Sequence, residues 1–177
     1  MASFVDRVLG AARLDVRTYE EVEADTSATP QAMGVVALAA LASGVGVAGA
    51  GGAGAFATVV ADLVGWVVWA ALIWLVGAKL LPEPQTRADV GQLLRTIGFA
   101  ASPGLLLVLG ILPLVGGPIT FVIWIWRLAT TVVAVRQALD YKSTGRAVAV
   151  CLIGWVVYVV VRFGTALMVG ITSVNLG

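Results

Sequence analysis

The chain contains no histidine, and its one cysteine, Cys151, lies inside an apolar run. Without imidazole there can be no His-based triad, no His-ligated metal or haem and no His proton shuttle. A lone cysteine cannot close an intramolecular disulfide or build a Cys-based zinc site. Charge is scarce as well. Only 12% of the 177 residues are charged and 60% are apolar, whereas a soluble domain carries roughly 25% charged residues. So few polar side chains cannot cover a water-facing surface, so a membrane protein is expected. The net charge of +1 gives no pull toward nucleic acid, and no cofactor or metal is expected.

Long apolar runs take the place of what is missing. A spanning helix needs about 20 mostly apolar residues, and five segments meet that requirement. The first opens at Thr29-Pro30, read as an N-cap followed by proline at the first helical position. The second closes at Pro82 and Pro84. The third starts near Thr96 and carries Pro103 near its middle, where a kink is expected. The fourth starts at Pro118, and the fifth follows Arg146. The cations test this division. Arg7, Arg13 and Arg17 precede the first span. Lys79, Arg87 and Arg95 fall between the second and third, and Arg136, Lys142 and Arg146 between the fourth and fifth. The other links and the tail have none, so five spans put every link cation on one side. The expectation is an all-α, polytopic membrane bundle of five transmembrane helices, with a cytoplasmic N-terminus and an outward C-terminus. Residues 1–29 form a short amphipathic N-terminal segment and 30–177 the spanning unit. No cleaved leader is expected, because the first long apolar run begins late.

Within the N-terminal segment, Phe4, Val8, Ala11 and Ala12 recur at helical spacing. Asp15 can cap a second short helix with Val16, Tyr19 and Val22 on one side and Glu20, Glu21 and Glu23 on the other. Two readings stand: helices at the membrane surface or against the inner ends of the spans, or an acidic docking site for a basic cytoplasmic protein.

Three ionisable residues fall inside spans: Asp62, Arg127 and Arg162. A buried charge in a bilayer costs at least about 2.5–3.5 kcal/mol, so each needs a reason. The spacing places all three in the outer half. An Asp–Arg pair could fix helix packing, and the second arginine could hold an anion or lipid headgroup or line an ion pathway. The six tryptophans are read as packing and lipid-contact residues, several of them too deep for an interfacial belt.

Ser43 to Phe56 contains a literal G-x-G-x-x-G at Gly44, Gly46 and Gly49. A dinucleotide fingerprint needs a preceding strand in a βαβ unit, and here an apolar helical run precedes it. The spacing fits small-residue packing instead, along Gly44, Ala48 and Gly52 and along Gly46, Ala50 and Gly54. A close hairpin between the first two spans is expected, with its turn in this stretch. No catalytic constellation is apparent, and no enzyme activity is expected.

The stretch "LGILPLVGGPITFVIWIWRLATTVVAVRQALDYKSTGRAVAVCLIGW" pairs a Gly/Pro break with a Trp-containing span, an Arg-x-Ala-Leu element and a Ser-Thr-Gly-Arg-Ala link. Together with the lead-in "ARLDVRTYEEVEADTSATPQAM", it resembles the Yip domain family, the Rab-interacting five-span membrane proteins, in a prokaryotic-type form. That resemblance implies a non-enzymatic scaffold, adaptor or accessory subunit that contacts membrane lipids and self-associates or joins other membrane proteins. It also implies a multi-pass protein of a prokaryotic plasma membrane. The alternative is a small transporter, channel or lipid-binding protein that uses Asp62, Arg127 and Arg162.

Overall fold

A computed structural model describes residues 2–46 and 52–174, with side chains through 45 and over 59–160. Every element among the described residues is helical. Helix α1 (Phe4–Ala12) opens on a capping box: Ser3 Oγ accepts from the Asp6 N–H, and the Asp6 carboxylate accepts from the Ser3 N–H. It ends at Leu14, which has φ 63°. There the Asp15 N–H reaches Gly10 O and the Leu14 N–H reaches Ala11 O, which satisfies carbonyls the helix leaves open. Helix α2 (Val16–Ala24) is capped by Asp15, as its position suggested.

A 3-10 turn, Thr26–Ala28, leads into α3 (Thr29–Gly46). The expected N-cap at Thr29 is corrected. Thr29 is itself helical and its hydroxyl donates to the Thr26 carbonyl, while Asp25 caps the turn ahead of it by accepting from Ser27. Helix α4 (Gly52–Trp74) continues as a π-helical turn, Leu75–Leu80, and stops before Pro82. Helix α5 (Val90–Ala100) begins with a second capping box, made by Asp89 and Gln92. That box starts the third span six residues ahead of Thr96 and brings Arg95 inside the helix, so Arg95 is not a link cation. At Pro103 the α-helix has given way to a 3-10 segment, Ser102–Ile111. Proline has no N–H to donate, so the wider pattern breaks there and a tighter one follows. Helices α6 (Gly116–Ala138) and α7 (Thr144–Val174) complete the chain.

Four runs are long and apolar enough to cross a membrane: Thr26–Val45, Val59–Leu80, Val90–Ile111 and Gly116–Ala138. Among the described residues α7 contributes a shorter apolar stretch, Thr144–Val160. The third run is the centre of the bundle, because 61% of its apolar window is buried against 22–33% in the other three. It packs on α3, α4, α6 and both N-terminal helices, while α7 lies against α4 and α6.

Helix α3 packs tightly against both parts of the third run, α5 through Gly98 and the 3-10 segment through Gly104. A Cβ on Gly98 would stand 2.7 Å from Ala32 Cβ, and one on Gly104 would stand 3.1 Å from Ala39 Cβ. The break between the first two spans does fall within Ser43–Phe56, since α3 ends at Gly46 and α4 begins at Gly52. Gly49 lies outside the described residues, as do the surroundings of Gly46, Gly52 and Gly54. At Gly44 an added Cβ would meet nothing within 4 Å among the described residues.

Candidate functional site

Polar side chains outside the spans gather on one face and are largely consumed in tying it together. The link from α4 to α5 is bonded to the link from α6 to α7. Gln85 donates to Asp140 O at 2.9 Å and Thr86 to Leu139 O at 2.8 Å. Arg146 donates to Leu81 O and Pro82 O, both at 3.1 Å, and approaches Glu83 at 3.7 Å. The buried Tyr141 hydroxyl lies 2.8 Å from both Gly77 O and Leu81 O. It serves carbonyls at the π-helical end of α4, where the ordinary helical partners are lost. Tyr141 is delivered there by a second reversal of the chain, at Asp140 with φ 53°. Burial pushes its hydroxyl pKa up.

The N-terminal helices join the same face through two arginines. Arg7, only 2% exposed, donates to Glu21, to Asp25 and to Gln31 of α3. The Arg7 bond holds the Glu21 carboxyl below its usual range. Arg95 donates from Nε to Val22 O at 2.9 Å and to Glu23 O at 3.1 Å, and its Nη2 also donates to Glu23 O. Glu23 accepts from Gln92 at 3.0 Å. Burial, with Asp140 and other acids nearby, raises its pKa to about 7. The acids of α2 are therefore not all solvated: Glu21 and Glu23 are engaged and Glu20 is exposed. Arg7 and Arg95 were not singled out from the sequence as site residues. The readable signal for Arg95 was the box Asp89-x-x-Gln92, which places it one turn into a helix among Leu93, Leu94 and Ile97.

Three tryptophans also cross between elements, with indole N–H groups donating to Leu94 O from Trp66, to Ala88 O from Trp74 and to Ala12 O from Trp126.

Of the intramembrane charges, Arg127 is the midpoint of α6, eleven residues from either end. Its guanidinium stacks over Trp124 at 5.1 Å, and its Nη1 would stand 3.4 Å from a Cβ on Gly104, an ordinary van der Waals contact. Its nitrogens find no hydrogen-bond acceptor within reach among the described residues. Asp62 is exposed on α4, and no ion pair within 4.0 Å joins it to Arg127 among the described residues. The Arg162 side chain lies outside the described residues. One deep hydroxyl, Ser102 Oγ, has no hydrogen-bond partner among the described residues.

The molecule is thus a bundle of apolar helices around a broken central span, with the N-terminal helices and two links bonded together on one face. A family model for the Yip1 domain matches residues 23–164. The chain belongs to the Yip1 domain family. The match runs from the end of α2 through all of α3 to α6 and into α7. Phe4 to Val22, including Arg7 and Glu21, precede it. No curated protein and no solved structure matches the chain. Membership makes this a multi-pass membrane protein of a generally non-enzymatic family.

Proposed function

We propose that this Yip1 domain protein is a non-catalytic membrane scaffold or accessory subunit that self-associates or joins other membrane proteins. In this reading it has five spans, with the sewn polar face in the cytoplasm of a prokaryotic cell, the C-terminus outside and the plasma membrane as its home. The observation that carries the reading is the consolidation of that face. Arg7, Arg95, Tyr141 and Arg146 are spent on internal bonds that lock the N-terminal helices and two links into one surface. A rigid surface built from committed polar groups suits docking better than turnover. Uniform placement of link cations supports the orientation.

The test is purification of the full chain in mild detergent, followed by light scattering and native mass spectrometry. A defined oligomer or a stoichiometric membrane-protein companion is the expected result. A bare monomer from both native membranes and reconstituted bilayers would sink the scaffold reading.

One observation favours a second reading. The Arg127 guanidinium at mid-helix, unserved by hydrogen bonds among the described residues, fits an anion or lipid-headgroup site shared with Asp62 and Arg162. A monomer that carries one anionic lipid, lost on Arg127→Gln, is the outcome that would favour it.

A further inference from the structure

We propose that the α1–α2 hairpin is seated in the membrane leaflet on the polar-face side, with Val5 and Leu9 packed against lipid acyl chains. Helix α1 divides lengthwise into three stripes. Arg7 and Ala11, one turn apart, face the protein and are 2% and 0% exposed. Val5 and Leu9, also one turn apart, point away from the protein and are 60% and 47% exposed. Asp6 and Arg13 form a third, exposed polar stripe. A helix between protein and water would bury its valine and leucine and leave the arginine outside. The order here is reversed. An interfacial helix held against a membrane protein needs three different sides, one each for protein, hydrocarbon and headgroups.

The neighbours of α1 agree with that placement. Phe4 lies 6.5 Å from Phe99, ring to ring, and Ala12 O accepts from Trp126 at 2.7 Å. Both aromatic partners belong to spanning helices, and α1 also touches the apolar Ser102–Ile111 segment. The hairpin therefore lies beside the spans and not beyond their ends. On α6, Ile125 and Leu128 beside the Trp126 anchor are 52% and 62% exposed, so the surface next to this contact is open and apolar. The same lipid that covers α6 covers α1.

The test uses the full chain in nanodiscs, with Cys151→Ala as background and single cysteines at Val5→Cys, Leu9→Cys and Glu20→Cys. All three sites are exposed, so the buried Arg7 network stays intact. Each carries an environment-sensitive fluorophore, read with spin-labelled lipid and with aqueous iodide. The expected result is blue-shifted emission at Val5 and Leu9, with quenching by acyl-chain spin labels several-fold stronger than at Glu20. Iodide quenching at Val5 and Leu9 equal to that at Glu20 would mean a water-facing hairpin and overturn the proposal. Shielding from both quenchers would mean that protein, such as a second copy of this chain, covers the stripe, and would overturn it equally.

Discussion

Arg95 closes the C-terminal end of α2: its Nε stands 2.9 Å from the carbonyl oxygen of Val22, seventy-three positions away in sequence. A cation there meets both the open carbonyls and the negative end of the helix dipole. Arg95 is 6% exposed, so no water replaces it if it is removed. Arg95→Met keeps the apolar stem and deletes the donors, at an expected cost of about 1.5–3 kcal/mol for bonds to a charged group. A lower melting midpoint in detergent, with faster amide exchange over 16–24 and unchanged exchange in α4, is the expected outcome. Uniform loss of protection across the bundle would mean that Arg95 supports α5 and not α2.

Glu23 gives the same junction a pH dependence with an unusual sign. Its folded pKa of about 7 lies above the ordinary glutamate value of 4.5, chiefly because it is buried. A carboxyl with a raised folded pKa binds its proton more tightly in the folded state. Its contribution is present below the unfolded pKa and is lost as pH rises from about 4.5 to about 7. Between pH 5 and pH 8 the α2 contact should weaken. Glu23→Gln, which imitates the protonated form and still accepts from Gln92, should flatten the change. Amide exchange of α2, corrected for intrinsic rates at each pH, is the measurement. A wild-type α2 that tightens toward pH 8 would contradict the burial argument.

Arg7 tests whether the buried charges form a unit. Its side chain is 3% exposed, while Glu21 keeps 37% and Asp25 21% of theirs. Arg7→Met leaves two carboxylates facing each other, and the expected loss is about 3 kcal/mol, the low end for breaking a buried pair because both acids retain some water. Adding Glu21→Gln should recover part of that loss, since one stranded charge goes with it. Strictly additive melting shifts for the single and double variants would show that the three groups act separately.

The all-helical membrane class and the helix starts at Asp15 and near Thr29 were legible in the sequence, because length, apolarity and capping residues are local signals. The family followed from the Gly/Pro break and the Trp-rich fourth span. Arg95 was misplaced because a hydropathy reading begins a span where charge ends, whereas the capping box at Asp89 begins the helix itself. Tyr141 could not be foreseen, since its hydroxyl serves carbonyls freed by a π-helical turn sixty positions earlier. The acids of α2 looked like a solvated face because pairing with Arg7 and Gln92 is a tertiary fact. The depth of α1 beside the spans was likewise hidden, since its pattern is amphipathic whichever side meets lipid.

Glycine shows the same division between pattern and packing, and yields a paired prediction. The small-residue line through Gly44 drew attention by its spacing, yet an added Cβ there meets nothing within 4 Å among the described residues. Gly98, with Ser102 four residues on, did not draw the same attention. A Cβ at Gly98 would stand 2.7 Å from Ala32 Cβ and 3.2 Å from both the Ala32 carbonyl and Trp66 Cζ2. A Cβ and a backbone oxygen cannot rotate away, so α3 and α5 must separate to admit one methyl. Gly98→Ala should therefore destabilise the bundle by about 1–3 kcal/mol, the range for overpacking. Gly44→Ala should change stability by less than about 1 kcal/mol, because Ala in a helix gains roughly what the lost glycine flexibility is worth. Melting midpoints of the two full-length variants in the same detergent decide the matter. A damaging Gly44→Ala beside a silent Gly98→Ala would move the tight seam from α3–α5 to α3–α4.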